Sequence, residues 1–354
     1  MADHPYRDLP PEALWRRAVA ERSPLHLEHL YRPRFPLGRE TRIAAAGSCF
    51  AQHIGRQFKE RGYAFLDAEP APPLLEAGER GRFGYDMYSA RYGNLYSARQ
   101  LLQLVQRAQG TFTPLDEAWE EGGRWFDPFR PTIEPDGFAS LEELRAVREH
   151  HLGAVRSLLE QADVFVFTFG LTEAWIDTRD GAVLPLCPGT AHGTFDPEQH
   201  AFHNFSWPEV MGDFEEFMRL AREVNPTMRF LVTVSPVPLT ATASGQHVLT
   251  ASVASKSILR AVCAELVARH EHVDYFPSYE LVTSHPMRAM FFDPNLRTVA
   301  PRGVAHVMST FFEAHEGTAT AAPTPASTGR PAQVPVPHED DVVCDEAILD
   351  TFGA

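Results

Sequence analysis

A serine stands where the chain is predicted to turn from its first strand into its first helix. The apolar run 43–46 precedes Ser48. After it, apolar side chains recur at the spacing of one helical face, at Phe50, Ile54 and Phe58. A hydroxyl at such a turn lies beside the first free N–H groups of a helix, which favour negative charge. Ser48 is therefore a candidate nucleophile for attack on a carbonyl, because the oxyanion that forms would be stabilised there.

Two other interpretations of this position stay open. Serine is a common helix N-cap, so Ser48 could serve only to begin the helix. The neighbouring Cys49 is a rival nucleophile, but we expect its thiol to pack against the helix rather than to react.

Three continuous apolar runs, at 164–169, 230–234 and 272–276, predict strands that are buried on both faces. Helical patterns near 209–223 and 252–269 lie between them, which indicates βαβ units and a parallel sheet. Ligands of such sheets bind at the carboxyl ends of the strands. The residues that follow these strands are therefore expected to converge on the turn that carries Ser48.

The segment Gly47-Ser48-Cys49-Phe50-Ala51 spells the signature of the GSCFA-domain family, which is similar to the SGNH/GDSL hydrolases. Further blocks resemble the bacterial branch over roughly residues 35–312; they begin at Tyr92, Phe169, Ser235 and Asp274. The resemblance implies an α/β fold, three-layer α/β/α with a mostly parallel central sheet, SGNH-hydrolase-like (flavodoxin-like). It also implies a serine-dependent ester hydrolase or O-acyltransferase. The association of the family with bacterial polysaccharide biosynthesis suggests a small-molecule or glycan acyl ester as substrate.

The resemblance also implies roles for residues near the other strand ends. In SGNH-type enzymes a block-two glycine and a block-three asparagine help to hold the oxyanion. Gly93 matches the first, with Asn94 beside it, and both join the N–H of Ser48 as expected donors. Block three departs from the pattern, because Thr172 and Glu173 stand where Asn and Asp are expected. The hydroxyl of Thr172 could still donate, and Glu173 could accept a hydrogen bond or orient a histidine.

The catalytic base of the family is missing from its usual place. SGNH enzymes carry Asp-x-x-His before the last helix, and here Asn295 and Thr298 occupy the two functional positions, with Gly303 in register. Asparagine cannot supply the charge that stabilises an imidazolium, and threonine cannot accept a proton at neutral pH. Another histidine must then activate the serine.

We rank three histidines as replacements. His247 follows the 235–238 strand end by a short loop, and His285 lies between the 277–280 turn and the replaced block. His306 is predicted to lie in the last helix and to pack in the core. An alternative function stays open: a catalytically degenerate binding or scaffold protein on the same fold, acting in polysaccharide biosynthesis.

Composition excludes several classes of function. The 354 residues carry a formal net charge of −15, which argues against nucleic-acid binding and against anionic membrane surfaces. No run approaches the ~18 apolar residues of a membrane span, and the N-terminus lacks a signal-peptide core. The four cysteines lack metal-type spacing, as expected of reduced thiols in a cytoplasmic protein. We expect no cofactor and no metal, and we interpret the cluster His192, Asp196, His200 and His203 as surface loop.

The predicted organisation has four parts. Residues 1–35 form an N-terminal arm, and 36–315 form the α/β domain, with long loop insertions near 67–94 and 110–138. Residues 316–337 are mostly Thr, Ala and Pro and are predicted to be a disordered linker. Residues 338–354 form an acidic C-terminal segment, which could dock on its own domain or bind a protein partner.

Overall fold

The computed structural model describes residues 4–319 and 345–352, with only the backbone of 317–319. The strands are β1 (Ile43–Gly47), β2 (Trp119–Glu121), β3 (Arg124–Phe126), β4 (Val164–Phe169), β5 (Glu173–Asp177), β6 (Val183–Leu184), β7 (His200–Asn204), β8 (Arg229–Val234) and β9 (Val273–Tyr275). The α-helices are α1 (Phe50–Glu60), α2 (Ala77–Arg80), α3 (Ala98–Gln109), α4 (Leu141–Gln161), α5 (Trp207–Val224), α6 (Val248–Arg269), α7 (Ser278–Thr283) and α8 (Pro301–Ala319). A 3₁₀ helix covers Asp345–Phe352.

The central sheet contains the four strands that the apolar runs predict. Its order is β1-β4-β8-β9, and every neighbouring pair is parallel. Each crossover between these strands passes through helices, as parallel pairing requires. The predicted α/β fold with a mostly parallel central sheet is confirmed.

The two faces of this sheet are covered by different helices. In β4, Phe165, Phe167 and Phe169 point into a core with apolar side chains of α3, α4, α5 and α6. Val164 and Val166 point to the other face, where α1, α7 and α8 pack. Alternate residues of one strand therefore serve two cores, which explains why the strand is apolar throughout.

Capping residues begin helices α3 and α4. Ser97 and Gln100 form a reciprocal capping box at the start of α3. At the start of α4, the Ser140 hydroxyl accepts a hydrogen bond from the Glu143 N–H. The Glu143 carboxylate binds the N–H of Ala139 instead of that of Ser140.

The structure differs from the predictions in three places. The sequence predicts a second strand at 63–66, but the structure has only a single parallel bridge there, between Phe65 and Ile43. An antiparallel sheet of order β6-β5-β7 was not predicted, and His200 begins one of its strands instead of lying in a surface loop. Helix α8 continues through Ala319, beyond the predicted boundary at 315, and the rest of the predicted linker lies outside the described residues.

The N-terminal arm is anchored by polar contacts. The hydroxyl of Tyr31 donates to the Asp274 carboxylate at 3.0 Å, and the Arg34 guanidinium reaches backbone carbonyls near the end of α6. Phe35 and Leu37 enter the same core as α1 and α8. Within residues 4–319 and 345–352, no helix has the length and apolar character that crossing a membrane requires.

Candidate functional site

Ser48 lies between the end of β1 and the start of α1. Gly47 before it has a φ of 141°, and a Cβ there would stand 2.5 Å from the carbonyl oxygen of Thr168, so only glycine fits. The N–H of Ser48 donates to that same carbonyl at 3.2 Å, and its own carbonyl accepts from Ala51 at 2.8 Å. The backbone of the turn is thereby fixed against the end of β4.

The hydroxyl of Ser48 is buried and unsatisfied. The residue is 3% exposed, and its Oγ has no hydrogen-bond partner in the part of the chain that the structure describes. Cys49, and not Ser48, occupies the N-cap position of α1, so the hydroxyl does not cap that helix. A buried polar group without a partner costs about 1–3 kcal/mol, and a catalytic role is one explanation for such a group.

Gly170, just after β4, packs against this turn. A Cβ at Gly170 would lie 2.9 Å from the Cβ of Ser48 and 3.1 Å from the carbonyl oxygen of Tyr96. The N–H groups of Gly170 and Leu171 both donate to that Tyr96 carbonyl, at 2.9 and 3.0 Å. The turns after β1 and β4 and the segment before α3 therefore meet at the carboxyl edge of the sheet, as the sequence predicts.

Lys256 adds a cationic group to this edge. It belongs to α6, is 3% exposed, and donates from Nζ to the carbonyl oxygen of Gly170 at 2.6 Å. The prediction from sequence considered histidines only and missed this residue. The signal was present, because Lys256 falls on the buried face of α6, one turn from Ser252 and Leu259.

Two of the expected oxyanion donors are engaged elsewhere. The N–H of Ser48 belongs to the β1–β4 ladder, and the N–H of Thr172 donates to the hydroxyl of Ser255 at 3.0 Å. The Thr172 hydroxyl donates to Asn204 at 2.7 Å. These partners come from α6 and β7, which the sequence does not place near block three.

Gly93 and Asn94 lie beside the serine turn. Gly93 has a φ of 68°, and a Cβ there would meet no atom within 4 Å. Leu95, one residue further on, donates its N–H to the carbonyl of Gly47 at 2.9 Å. The side chain of Asn94 accepts from the Tyr88 hydroxyl and donates from Nδ2 to the carboxylate of Asp345 at 2.8 Å. The predicted oxyanion segment is thus in contact with the C-terminal 3₁₀ helix.

Glu173 lines a cavity of about 270 Å³ next to this edge. Its carboxylate accepts a hydrogen bond from the Thr242 hydroxyl at 2.7 Å, and burial raises the pKa of the group. Leu171 and Trp175 line the same cavity, and Glu346 and Leu349 of the C-terminal helix form another wall. The cavity is of a size for a small acyl or sugar group.

The two leading histidines do not hydrogen-bond to Ser48. His247 is the N-cap of α6, where its Nδ1 accepts from the Leu249 N–H at 3.2 Å, and it is exposed. His285 is also exposed and stacks on Trp15, with ring centroids 5.3 Å apart. His306 lies in the last helix and stacks on Phe291, and burial lowers the pKa of His306. The base assignments remain predictions.

Asn295 and Thr298 close an exposed turn on themselves. Asn295 donates from Nδ2 to the Thr298 hydroxyl, and its Oδ1 accepts from the N–H groups of Arg297 and Thr298, all at 2.9 Å. The side chain of Arg297 leaves this turn and pairs with Glu346 at 3.4 Å. The turn at Asn295–Thr298 is therefore linked to the C-terminal helix by the Arg297–Glu346 ion pair.

Two of the histidines near 192–203 are hydrogen-bonded to glutamate side chains. His192 pairs with Glu121 at 3.0 Å, and His203 pairs with Glu209 at 2.8 Å. Across residues 4–319 and 345–352, no three His, Cys, Asp or Glu side chains are placed to hold a metal ion together.

A sequence model of the GSCFA family matches residues 42–311, so the chain belongs to the GSCFA family. The comparison with curated proteins found no match. Among solved structures, the chain is similar to a mutant acetyl esterase with acetate ion, at 10% identity and a TM-score of 0.34, over 78% of this chain and 99% of that one. It is also similar to a carbohydrate esterase family 3 protein from Talaromyces cellulolyticus, at 11% identity and a TM-score of 0.36, over 79% and 96% of the two chains.

Proposed function

We propose that this GSCFA protein is a Ser48-dependent hydrolase of acyl esters, or an acyltransferase, acting on a small carbohydrate-type ester. The observation that carries the proposal is the buried Ser48 hydroxyl, which has no hydrogen-bond partner among the described residues. It lies at the carboxyl edge of a parallel sheet, where ligands of such sheets bind. A cavity of about 270 Å³, lined by Leu171 and Glu173 just after β4, offers space for an acyl group.

The reaction would pass through an acyl-enzyme. Ser48 Oγ attacks the ester carbonyl and gives its proton to a base, which passes the proton to the departing alcohol. Water, or the hydroxyl of an acceptor, then attacks the acyl-enzyme and releases Ser48. Hydrolysis and acyl transfer differ only in this second nucleophile.

We assign the proton transfer to Lys256 ahead of the two predicted histidines. Its amine contacts Gly170, the residue packed against Ser48, whereas His247 and His285 are exposed and held by other partners. Serine–lysine pairs are an established variant of the serine–histidine arrangement.

A binding or scaffold role is the second candidate. It is favoured by the engagement of the Ser48 and Thr172 N–H groups with other acceptors, and by the closed turn at Asn295 and Thr298. In this case the site would hold a glycan or acyl group without turnover.

A fluorophosphonate probe, which reacts with activated serines, separates the two candidates. We expect wild-type protein to be labelled and to hydrolyse p-nitrophenyl acetate, and Ser48→Ala to lose both. Cys49→Ser is the matched control, because it alters the neighbouring nucleophile and should keep the label. Absence of label and turnover in the wild type would support the binding role instead.

A further inference from the structure

Residues 345–352 lie across the edge of the sheet that carries the candidate site. The segment is outside residues 42–311, to which the family model corresponds. Its first residue, Asp345, contacts Asn94 and Thr132, and its second, Glu346, contacts Tyr96 and Arg297. A segment beyond the residues that the family model matches therefore contacts the loops at this edge of the sheet.

The carboxylate of Asp345 lies in a cradle of neutral hydrogen-bond donors. Asn94 Nδ2 donates to Oδ2 and the Thr132 hydroxyl donates to Oδ1, both at 2.8 Å. Burial raises the pKa of Asp345, and these side chains, with the backbone of Asn94, oppose that effect. Buried carboxylates that belong permanently to a fold are usually paired with a cation. Neutral donors suit an occupant that can exchange.

The cradle is adjacent to the reactive turn. Leu95, next to Asn94 in sequence, donates its N–H to the Gly47 carbonyl, one residue before Ser48. The hydroxyl of Tyr96 accepts from the Glu346 N–H at 3.3 Å, while the Tyr96 carbonyl holds the Gly170 turn. Asn94, which holds Asp345, is thus one residue away from the backbone that is bonded to the serine turn.

The remainder of the segment lines the cavity beside Glu173. Glu346 is 7% exposed, and it forms part of the cavity wall together with Leu349. An acyl or sugar group bound in this cavity would therefore contact the segment.

We propose that the Asn94–Thr132 cradle is a binding site for carboxylates and carbonyl oxygens, and that residues 345–352 are its internal occupant, which competes with substrate. The binding part stands by itself, whereas the competition with substrate rests on the proposed function. With residues 345–352 in place the protein is then a self-blocked form, and displacement of the segment opens Ser48 to acyl esters.

The test compares Asp345→Ala with Asp350→Ala in the full-length chain. Both variants remove one carboxylate from the same helix, but Asp350 is exposed, so it is the matched control. We expect hydrogen exchange of the 346–352 amides to become at least roughly tenfold faster in Asp345→Ala only, because charge-assisted hydrogen bonds are lost. Ser48-dependent hydrolysis should rise severalfold in the same variant and stay at the wild-type level in the control.

A peptide tests the cradle without using activity. An acetylated, fluorescently labelled peptide with the sequence of residues 345–352 should bind Asp345→Ala protein, measured by anisotropy. The same peptide with alanine in its first position should bind roughly tenfold more weakly.

Each alternative outcome has a definite meaning. Equal exchange rates in all three proteins, or equal binding of the two peptides, would overturn the cradle. If hydrogen exchange becomes faster in Asp345→Ala but hydrolysis does not rise, the segment does not compete with substrate. A fall in hydrolysis would mean that the segment completes the site. If no protein shows Ser48-dependent hydrolysis, the proposed function fails and the competition with it, while exchange and peptide binding still decide the cradle.

Discussion

Lys256 and Ser48 flank the same glycine. The lysine amine donates to the Gly170 carbonyl at 2.6 Å, and a Cβ on that glycine would come within 2.9 Å of the Ser48 Cβ. Any side chain at position 170 would therefore collide with Ser48 and with the Tyr96 backbone. The glycine after β4 lets the serine turn pack closely, while its carbonyl binds the Lys256 amine.

Two substitutions of Lys256 test its role. Lys256→Met keeps the length and removes the amine, so we expect hydrolysis to fall by about 10²–10⁴-fold, the usual contribution of proton transfer. Lys256→Arg keeps the charge and the donor but cannot accept a proton, so we expect a similar fall in kcat. Near-wild-type kcat in the arginine variant would show that Lys256 only positions Gly170. Melting temperatures of both variants control for folding.

The site was predictable where it depends on local sequence and not where it depends on distant partners. Gly47 and Ser48 predict a turn between a strand and a helix, and the structure has that turn between β1 and α1. The engagement of Thr172 could not be foreseen, because Ser255 and Asn204 arrive from other elements. The burial of Lys256 could have been predicted, because it shares the helical spacing of the buried residues Ser252 and Leu259 in α6.

At the scale of elements, the central sheet could be predicted from local sequence, whereas the second sheet could not. β4 and β8 are apolar except for Thr168, Arg229 and Thr233, so each is recognisable by itself. β5 and β7 carry Glu173, Asp177 and His203 among aromatic residues, and short mixed strands of this kind resemble loops in sequence. Their pairing is set by packing, which no local pattern encodes.

The C-terminal helix touches the domain without entering either main core. Glu346 is buried and the Asp345 carboxylate is enclosed by Asn94 and Thr132, so the contacts of the helix are to side chains at the sheet edge. Removing residues 320–354 should therefore lower the melting temperature by only about 2–4 °C, as expected for a loss near 1 kcal/mol. Thermal denaturation of the shortened and full-length chains measures this. A fall above roughly 10 °C would show that the helix is part of the folding unit.

For the whole molecule, buried charges tie the long loops to the domain. Glu69, from the first predicted insertion, pairs with His151 of α4 at 2.6 Å and accepts the Arg91 N–H at 2.7 Å. Asp127, from the second, pairs with Arg130, and both side chains are almost fully buried. The sequence shows these charges but not their partners, so it predicts loops where the structure has a packed polar layer.

This layer should make stability depend on pH. Burial, together with the nearby Arg130 guanidinium, lowers the pKa of His151 to about 4. The unfolded chain takes up this proton near pH 6.5 and the folded chain does not, so stability is lost as pH falls from about 6.5 towards 4.

Denaturant unfolding at pH 7 and pH 5 should show the effect. The wild type should lose about 2 kcal/mol more than His151→Gln between these two values, since one pKa unit corresponds to about 1.4 kcal/mol. Glutamine is chosen because its amide can still donate to Glu69. An equal loss in both proteins would show that His151 does not titrate as the structure indicates.

Because alternate side chains of β4 enter two different cores, the strand tolerates substitutions better than insertions or deletions. Phe165, Phe167 and Phe169 face one set of helices, and Val164 and Val166 face the other. Exchanging one of these residues alters one packing layer, but inserting or deleting a codon within the strand would send every later side chain to the opposite layer. Length variation among relatives should accordingly be confined to the connections, with β4 itself kept at constant length.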